Sequence, residues 1–259
     1  MDPFVSIIIS TYKSKTLRGV LRQLEEQTSK AFEVIVCDDG SNDFVKLERH
    51  SYPLRYVWHQ DLGRHWSRTH NEGIALAKGR YTLFLHDDII PHKELVERTL
   101  KLMQPGIFIA GIRDTVPRTF TSFINPEASV TGIDHRITLN KTIFNAYDYK
   151  DDTVLIPISK YFNDPFLLVS GCLMAFPTEA LRKVGGCPED YPGQGLEDYD
   201  LALRLLRNGY QLYLSYGLKG YHLDHPEMDG PEVDKNREEF FKRLKDSNYK
   251  TNFNYFELL

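Results

Sequence analysis

The chain has 259 residues, with 32 Lys and Arg against 36 Asp and Glu, for a formal net charge of -4. That length buries a substantial core in one large domain or two tightly joined halves. A composition of 41% hydrophobic and 26% charged residues excludes a wholly disordered chain, and the slight acidic excess argues against a nucleic-acid binder.

The N-terminus enters a strand-like run, Phe4 to Ile9, without a charged leader or a small-residue cleavage site. Four further runs rich in β-branched and aromatic residues come at Glu33–Cys37, Leu54–Trp58, Tyr81–Leu85 and Ile107–Ile112. Between them lie helical spacings: Leu17-Val20-Leu21-Leu24, Ile74-Ala75-Ala77 and Leu95-Val96-Leu100-Met103. This alternation predicts an α/β fold with a doubly wound, mostly parallel sheet and ligands beyond the carboxyl ends of its strands. Residues 1–112 form the first half on this pattern.

The periodicity weakens from Arg113 to about 165, where Pro117, Pro126 and Pro157 stand among Asn, Asp and aromatic residues. Order returns with the apolar run Phe166–Phe176, a short helix from Thr178, a helix over Leu196–Asn208 stopped by Gly209, and a strand at Gln211–Tyr216. Residues 113–226 thus make a second half, and 227–259 a densely charged tail expected to be a solvated helix. No apolar run approaches the roughly 18 residues that cross a bilayer. Cys37, Cys172 and Cys187 are scattered and lack a CxxC pair, so neither a disulfide framework nor a zinc site is expected, and the expected compartment is the cytoplasm.

Three acidic clusters stand where strands end or helices begin. Asp38-Asp39-Gly40-Ser41 comes directly after the second strand, where a tight turn alone explains it and a ribose or nucleobase contact is the functional reading. His86-Asp87-Asp88 ends the Tyr81–Leu85 strand. Its acids either cap the next helix or hold a hard cation that completes its shell with phosphate oxygens. Glu197-Asp198, with Asp200 close by, opens a helix after Gly193-Gln194-Gly195. The helix dipole explains acids there, and a general base is the alternative. No GxSxG nucleophile is present.

The ordered series VSIIISTYK, VIVCDDGS, NEGIALAKGRYTLFLHDD, VSGCLMAF and VGGCPEDYPGQGLEDYDLALRLLRNGY resembles glycosyltransferase family 2 over most of residues 4 to 225. Arg113–Asp164 and the tail stay unmatched. The resemblance implies a GT-A fold and an inverting transfer of sugar from a nucleotide-diphosphate donor, with UDP the expected nucleotide. The acceptor is a glycan or lipid-linked hydroxyl. Mn2+ or Mg2+ is the implied cofactor, any membrane contact is peripheral, and no nucleic acid is involved.

By the same resemblance Thr11 and Tyr12 wrap the nucleotide, Asp38 or Asp39 meets the base or ribose, and Asn71 and Gly73 lie near the diphosphate. Asp87 falls in the donor motif, Asp88 is its metal ligand, and His222 or His225 is a second ligand. Asp198 is the catalytic base and Glu197 faces the acceptor. Two positions depart from the family: His70 stands where Arg is usual, with Arg68 a substitute, and His86 replaces the first acid of Asp-x-Asp. Trp66 and Tyr191 are candidates for stacking on a sugar, though a packing role suits Trp66 better. A sugar nucleotidyltransferase and a nucleotide-sugar-binding protein without transfer activity are the competing readings.

Overall fold

Consecutive apolar residues from Val5 to Ile9 alternate between two faces, as the period of a strand requires. Ile7 and Ile9 join one buried cluster and Ile8 the other, so this segment is a central strand covered on both sides. In the computed structural model it is β1 (Val5–Thr11), buried along its whole length. The structure describes residues 4–42, 49–61, 63, 65–116, 154–158, 164–191, 195–223 and 231–245.

Next come α1 (Leu17–Leu24), β2 (Phe32–Asp38), β3 (Leu54–Trp58), α2 (Trp66–Leu76), β4 (Tyr81–Leu85), β5 (Ile89–Pro91), α3 (Leu95–Leu102) and β6 (Ile107–Val116). After these come β7 (Leu155–Pro157), a 3-10 turn (Pro165–Leu168), β8 (Leu173–Pro177), α4 (Thr178–Lys183), α5 (Glu197–Arg207), β9 (Gln211–Leu223) and α6 (Pro231–Lys245). The sheet order is β3-β2-β1-β4-β8-β6-β9-β5, with β7 pairing β9. The first four strands are mutually parallel, as expected, while β8 enters antiparallel between β4 and β6 and β9 runs parallel to β6.

Helices α1 and α3 cover one face through Leu17, Leu21, Leu95 and Val96. The other face carries α2, α4, α5 and α6 through Ile74, Leu181, Leu205 and Phe240. The sheet is therefore doubly wound. Gly73 lets α2 press onto β1, since a Cβ there would lie 2.4 Å from Ile8 Cγ2.

Four differences from the sequence reading matter for the site. Ile89–Pro91 is a short strand against β9 rather than a lead-in to a helix; Pro91 is tolerated because β5 is an edge strand. β6 runs on to Val116, beyond the point where order was expected to lapse, and β9 continues to Leu223 instead of ending at Tyr216. The charged tail does contain a helix, but α6 buries Asn236, Phe240 and Leu244, so one face is docked rather than solvated. No helix among the described residues is long and apolar enough to cross a membrane.

Candidate active site

Strand polarity gathers the acids. β2, β1 and β4 are parallel, so Asp38, Thr11 and Leu85 end at one edge of the sheet, and the amide of Asp39 donates to the Thr11 carbonyl at 2.9 Å. Thr11 Oγ1 donates to Asp87 Oδ2 at 2.5 Å, tying the end of β1 to the turn after β4. Because β8 is antiparallel, its leading residues Gly171 and Cys172 lie at that same edge, and the His86 amide donates to the Cys172 carbonyl at 3.0 Å. The Gly171 amide in turn donates to Asp198 Oδ2 at 3.0 Å. The end of β9 returns here too: the Leu223 amide donates to the Asp88 carbonyl at 2.8 Å, and His222 Nε2 is 3.4 Å from Asp88 Oδ2. Asp88, His222 and Asp198 thus share one edge, linked through a few residues of backbone.

Asp88 and His222 offer an oxygen and an imidazole nitrogen on adjacent segments, a donor pair suited to Mn2+ or Mg2+. Among the described residues no group of three His, Cys, Asp or Glu is arranged around a metal. A cation held by this pair would need phosphate or water oxygens to complete its shell. His225, the competing ligand, and Gly193 and Gln194 lie outside the described residues.

Other expected contacts have different surroundings. Asp38 accepts from the Ser41 amide at 2.8 Å and from the Tyr56 hydroxyl. Asp39 pairs with His59 Nε2 at 2.8 Å and accepts from the His65 amide at 2.8 Å. Both acids therefore shape the turn, with Gly40 at φ +88° against the Asp61 backbone. Tyr12 donates to Asp61 Oδ2 at 2.9 Å and receives Lys13 Nζ at 2.5 Å. Asn71 clamps the Cys187 backbone, donating to its carbonyl at 2.9 Å and accepting from its amide at 2.7 Å. Its side-chain amide also donates to Glu189 Oε1 at 2.6 Å, and Gly73 serves the helix–strand contact described above. Arg68 pairs with Glu72 within α2 at 3.3 Å.

The two replacements form one cluster. Trp66 stacks on His86 at 4.8 Å between centroids, and His70 lies 4.3 Å from Phe84 and 6.5 Å from His86. Trp66 thus holds His86, in line with a packing role. Burial pushes His86 down to about 3, helped by His70, Arg113 and His222 against the pull of Asp88. Neutral imidazole at this position removes one negative charge that the Asp-x-Asp pattern has.

Burial likewise pushes His70 from 6.5 down to about 4, with its bond to the Trp66 carbonyl opposing. Below pH 6.5 the unfolded chain binds a proton that native His70 refuses. Its contribution to stability is therefore present above pH 6.5 and lost as the pH falls through about 4, on the order of 3 kcal/mol. The urea midpoint should drop across that window, with buried His86 contributing to the same fall, and His70→Gln should make the drop smaller; an equal slope in the variant would remove His70 as a source.

At the opposite end of the site, Gly195 (φ +111°) and Leu196 (φ +69°) are successive left-handed residues ahead of α5. For a bulky residue such as Leu this costs on the order of 1–2 kcal/mol, and it turns Glu197 and Asp198 into the first helical turn. Glu197 Oε2 accepts from the Gly195 amide at 2.6 Å, and Asp198 Oδ1 from the Tyr199 amide at 2.9 Å. Asp200 is buried and points away from this edge into a cluster: it accepts from Tyr191 at 3.0 Å, Arg204 at 2.7 Å and Arg243 at 2.9 Å. Tyr191, offered as a sugar platform, therefore has its hydroxyl engaged. Sequence reasoning gave no separate role to Asp200 and none to Arg113. Arg113 reaches Cys172 Sγ at 3.3 Å and carries positive charge to this edge; no spacing marks it, because strand pairing alone brings it there.

A family model described as "Glycosyl transferase family 2" matches residues 6–168, and one described as "N-terminal domain of galactosyltransferase" matches 159–226. The first match runs through Arg113–Asp164, which the motif series left uncovered. Chondroitin synthase of Escherichia coli is 28% identical over 89% of this chain, which spans only 36% of that protein's length. The crystal structure of S. aureus TarS superposes with a TM-score of 0.67 at 16% identity, over 96% of this chain and 41% of that one; a structure of its residues 1–349 contains UDP-GlcNAc. A mannosyltransferase from Pyrobaculum calidifontis, PcManGT, solved with GDP-Man and Mn2+, superposes with a TM-score of 0.63 at 18% identity, over 96% and 66%.

Proposed function

Because the chain belongs to glycosyl transferase family 2 and has the GT-A fold, we propose that it moves a sugar from a nucleotide-diphosphate donor to a hydroxyl with inversion. The observation that carries this reading is the convergence of Asp88, His222 and Asp198 on one sheet edge. Residues 1–112 hold the donor, 113–226 supply the acceptor side and the base, and the 227–259 tail contributes α6 to the second group.

In the mechanism this implies, the nucleotide lies across the ends of β1 and β2, against Thr11, Tyr12 and the Asp38–Ser41 turn. Asp88 and His222 are the residues that would hold a divalent cation, which would supply positive charge to offset that developing on the departing diphosphate. Arg113 adds fixed positive charge on the same side. Asp198, ionised and oriented by the Gly171 amide, takes the proton of the acceptor hydroxyl as its oxygen attacks the far face of the anomeric carbon. Glu197, one residue earlier, faces the acceptor. No covalent sugar–protein species is needed, because a single displacement inverts the centre.

UDP is the proposed nucleotide; the UDP-GlcNAc bound by the TarS fragment supports it and the GDP-Man bound by PcManGT keeps a guanosine donor in the panel. The acceptor is a glycan or lipid-linked alcohol. The three thiols are free and buried, which supports a reducing compartment such as the cytoplasm. The test is a panel of UDP-, GDP- and dTDP-sugars scored for nucleoside diphosphate release with and without Mn2+. The expected result is release from one donor class that rises with Mn2+ and with added acceptor. Nucleotide binding without release from any donor would favour the binding protein, and pyrophosphate formation from a nucleoside triphosphate the nucleotidyltransferase.

A further inference from the structure

Helix α6 does more than complete the core. Three of its side chains grip the polypeptide on both sides of Asp198. Asn236, fully buried, donates from Nδ2 to the Gly195 carbonyl at 2.9 Å, and a Cβ on that same glycine would lie 3.7 Å from Val233 Cγ2. Arg243 donates from Nη1 to Asp200 Oδ2 at 2.9 Å and also bonds Asp190, while its guanidinium lies 4.5 Å from the centre of the Tyr191 ring. Phe240 packs edge-on against Tyr199 and Phe166 at 6.1 and 5.6 Å.

The residues gripped are telling. Gly195 and Leu196 are the left-handed pair, and Leu196 holds a conformation that a bulky side chain keeps only where its surroundings enforce it. Asn236 bonds the carbonyl of the first of the pair. Asp200, two residues after Asp198, is the anchor at the other end. A carboxylate that must meet a hydroxyl in a defined direction is sensitive to small displacement, since about 1 Å of misplacement costs about 10²-fold in rate.

We propose that Asn236 and Arg243 are positioning residues: α6 fixes the Asp198 carboxylate by holding the backbone before it and the acid after it. This rests on the assignment of Asp198 as base. The bonds named above run to Gly195, Asp190 and Asp200, beside Asp198, so the effect expected is on the acceptor side.

The test uses the full chain with Asn236→Asp, which keeps the shape and removes the donor, and Arg243→Lys, which keeps the charge and removes the fork. Each should lower kcat for transfer about 10-fold or more while donor KM and nucleoside diphosphate affinity stay within about twofold. Amide hydrogen exchange gives a readout independent of turnover: the Gly171 and Tyr199 amides, both bonded to Asp198, should lose protection while those of β1 do not. Unchanged kcat and unchanged protection in both variants would overturn the proposal. So would a parallel loss of nucleotide affinity, which marks general support of the fold. If the parent releases no nucleoside diphosphate from any donor, the transferase reading fails, and the exchange data still decide whether α6 orders Asp198.

Discussion

Asp198→Asn is expected to lower kcat for sugar transfer by about 10²–10⁴-fold, the range that general-base help supplies, with nucleotide affinity nearly unchanged. The side chain is built for this separation of effects. It stands in the first turn of α5, tied to Gly171 and Tyr199 amides by one oxygen each, and asparagine retains one acceptor oxygen of the same shape. The proposed donor contacts at Thr11, Tyr12 and Asp88 belong to other elements and keep their partners. Measured by steady-state kinetics beside calorimetric titration of UDP, the variant should bind and not turn over. Turnover within tenfold of the parent would remove Asp198 as the base.

Asp88→Ala should act on the other limb. With its carboxylate gone, Mn2+ should no longer strengthen nucleoside diphosphate binding, a loss on the order of 10-fold or more in the presence of metal and little change in a chelator. The local backbone survives the substitution, because it is the Asp88 carbonyl, not the side chain, that receives the Leu223 amide, and β5 pairs with β9 through backbone alone. His222→Ala should reproduce the effect, since its imidazole stands 3.4 Å from the Asp88 carboxylate. A metal titration identical to that of the parent would dismiss the pair as ligands.

Most elements along the first 112 residues were legible because they carry their own period: Ile7-Ile8-Ile9 reads as a doubly covered strand, and Leu17-Val20-Leu21-Leu24 as one face of a helix. Asp88 and Asp198 were singled out through the order of motifs, and strand polarity brings the segments that carry them to a common edge. What could not be read was pairing. Nothing in Ile89-Ile90-Pro91 announces that three residues seat against Tyr221 and His222, and Asn71 hides its grip on Cys187, 116 positions away. The tail misled for a different reason. Its many charges advertise solvent, yet Val233, Asn236, Phe240 and Leu244 recur at intervals of three and four, a stripe that the charge density masks.

One irregularity in the sheet bears on how this fold can vary. Ala110 pairs with Leu214 and Ile112 with Lys219, so the residues from Ser215 to Leu218 stand opposite Gly111 alone, where a Cβ would come within 2.6 Å of the Leu218 carbonyl. Ladder counting lapses there and resumes at Lys219. A residue gained or lost between Lys219 and His222 would rotate the imidazole to the reverse side of the ribbon.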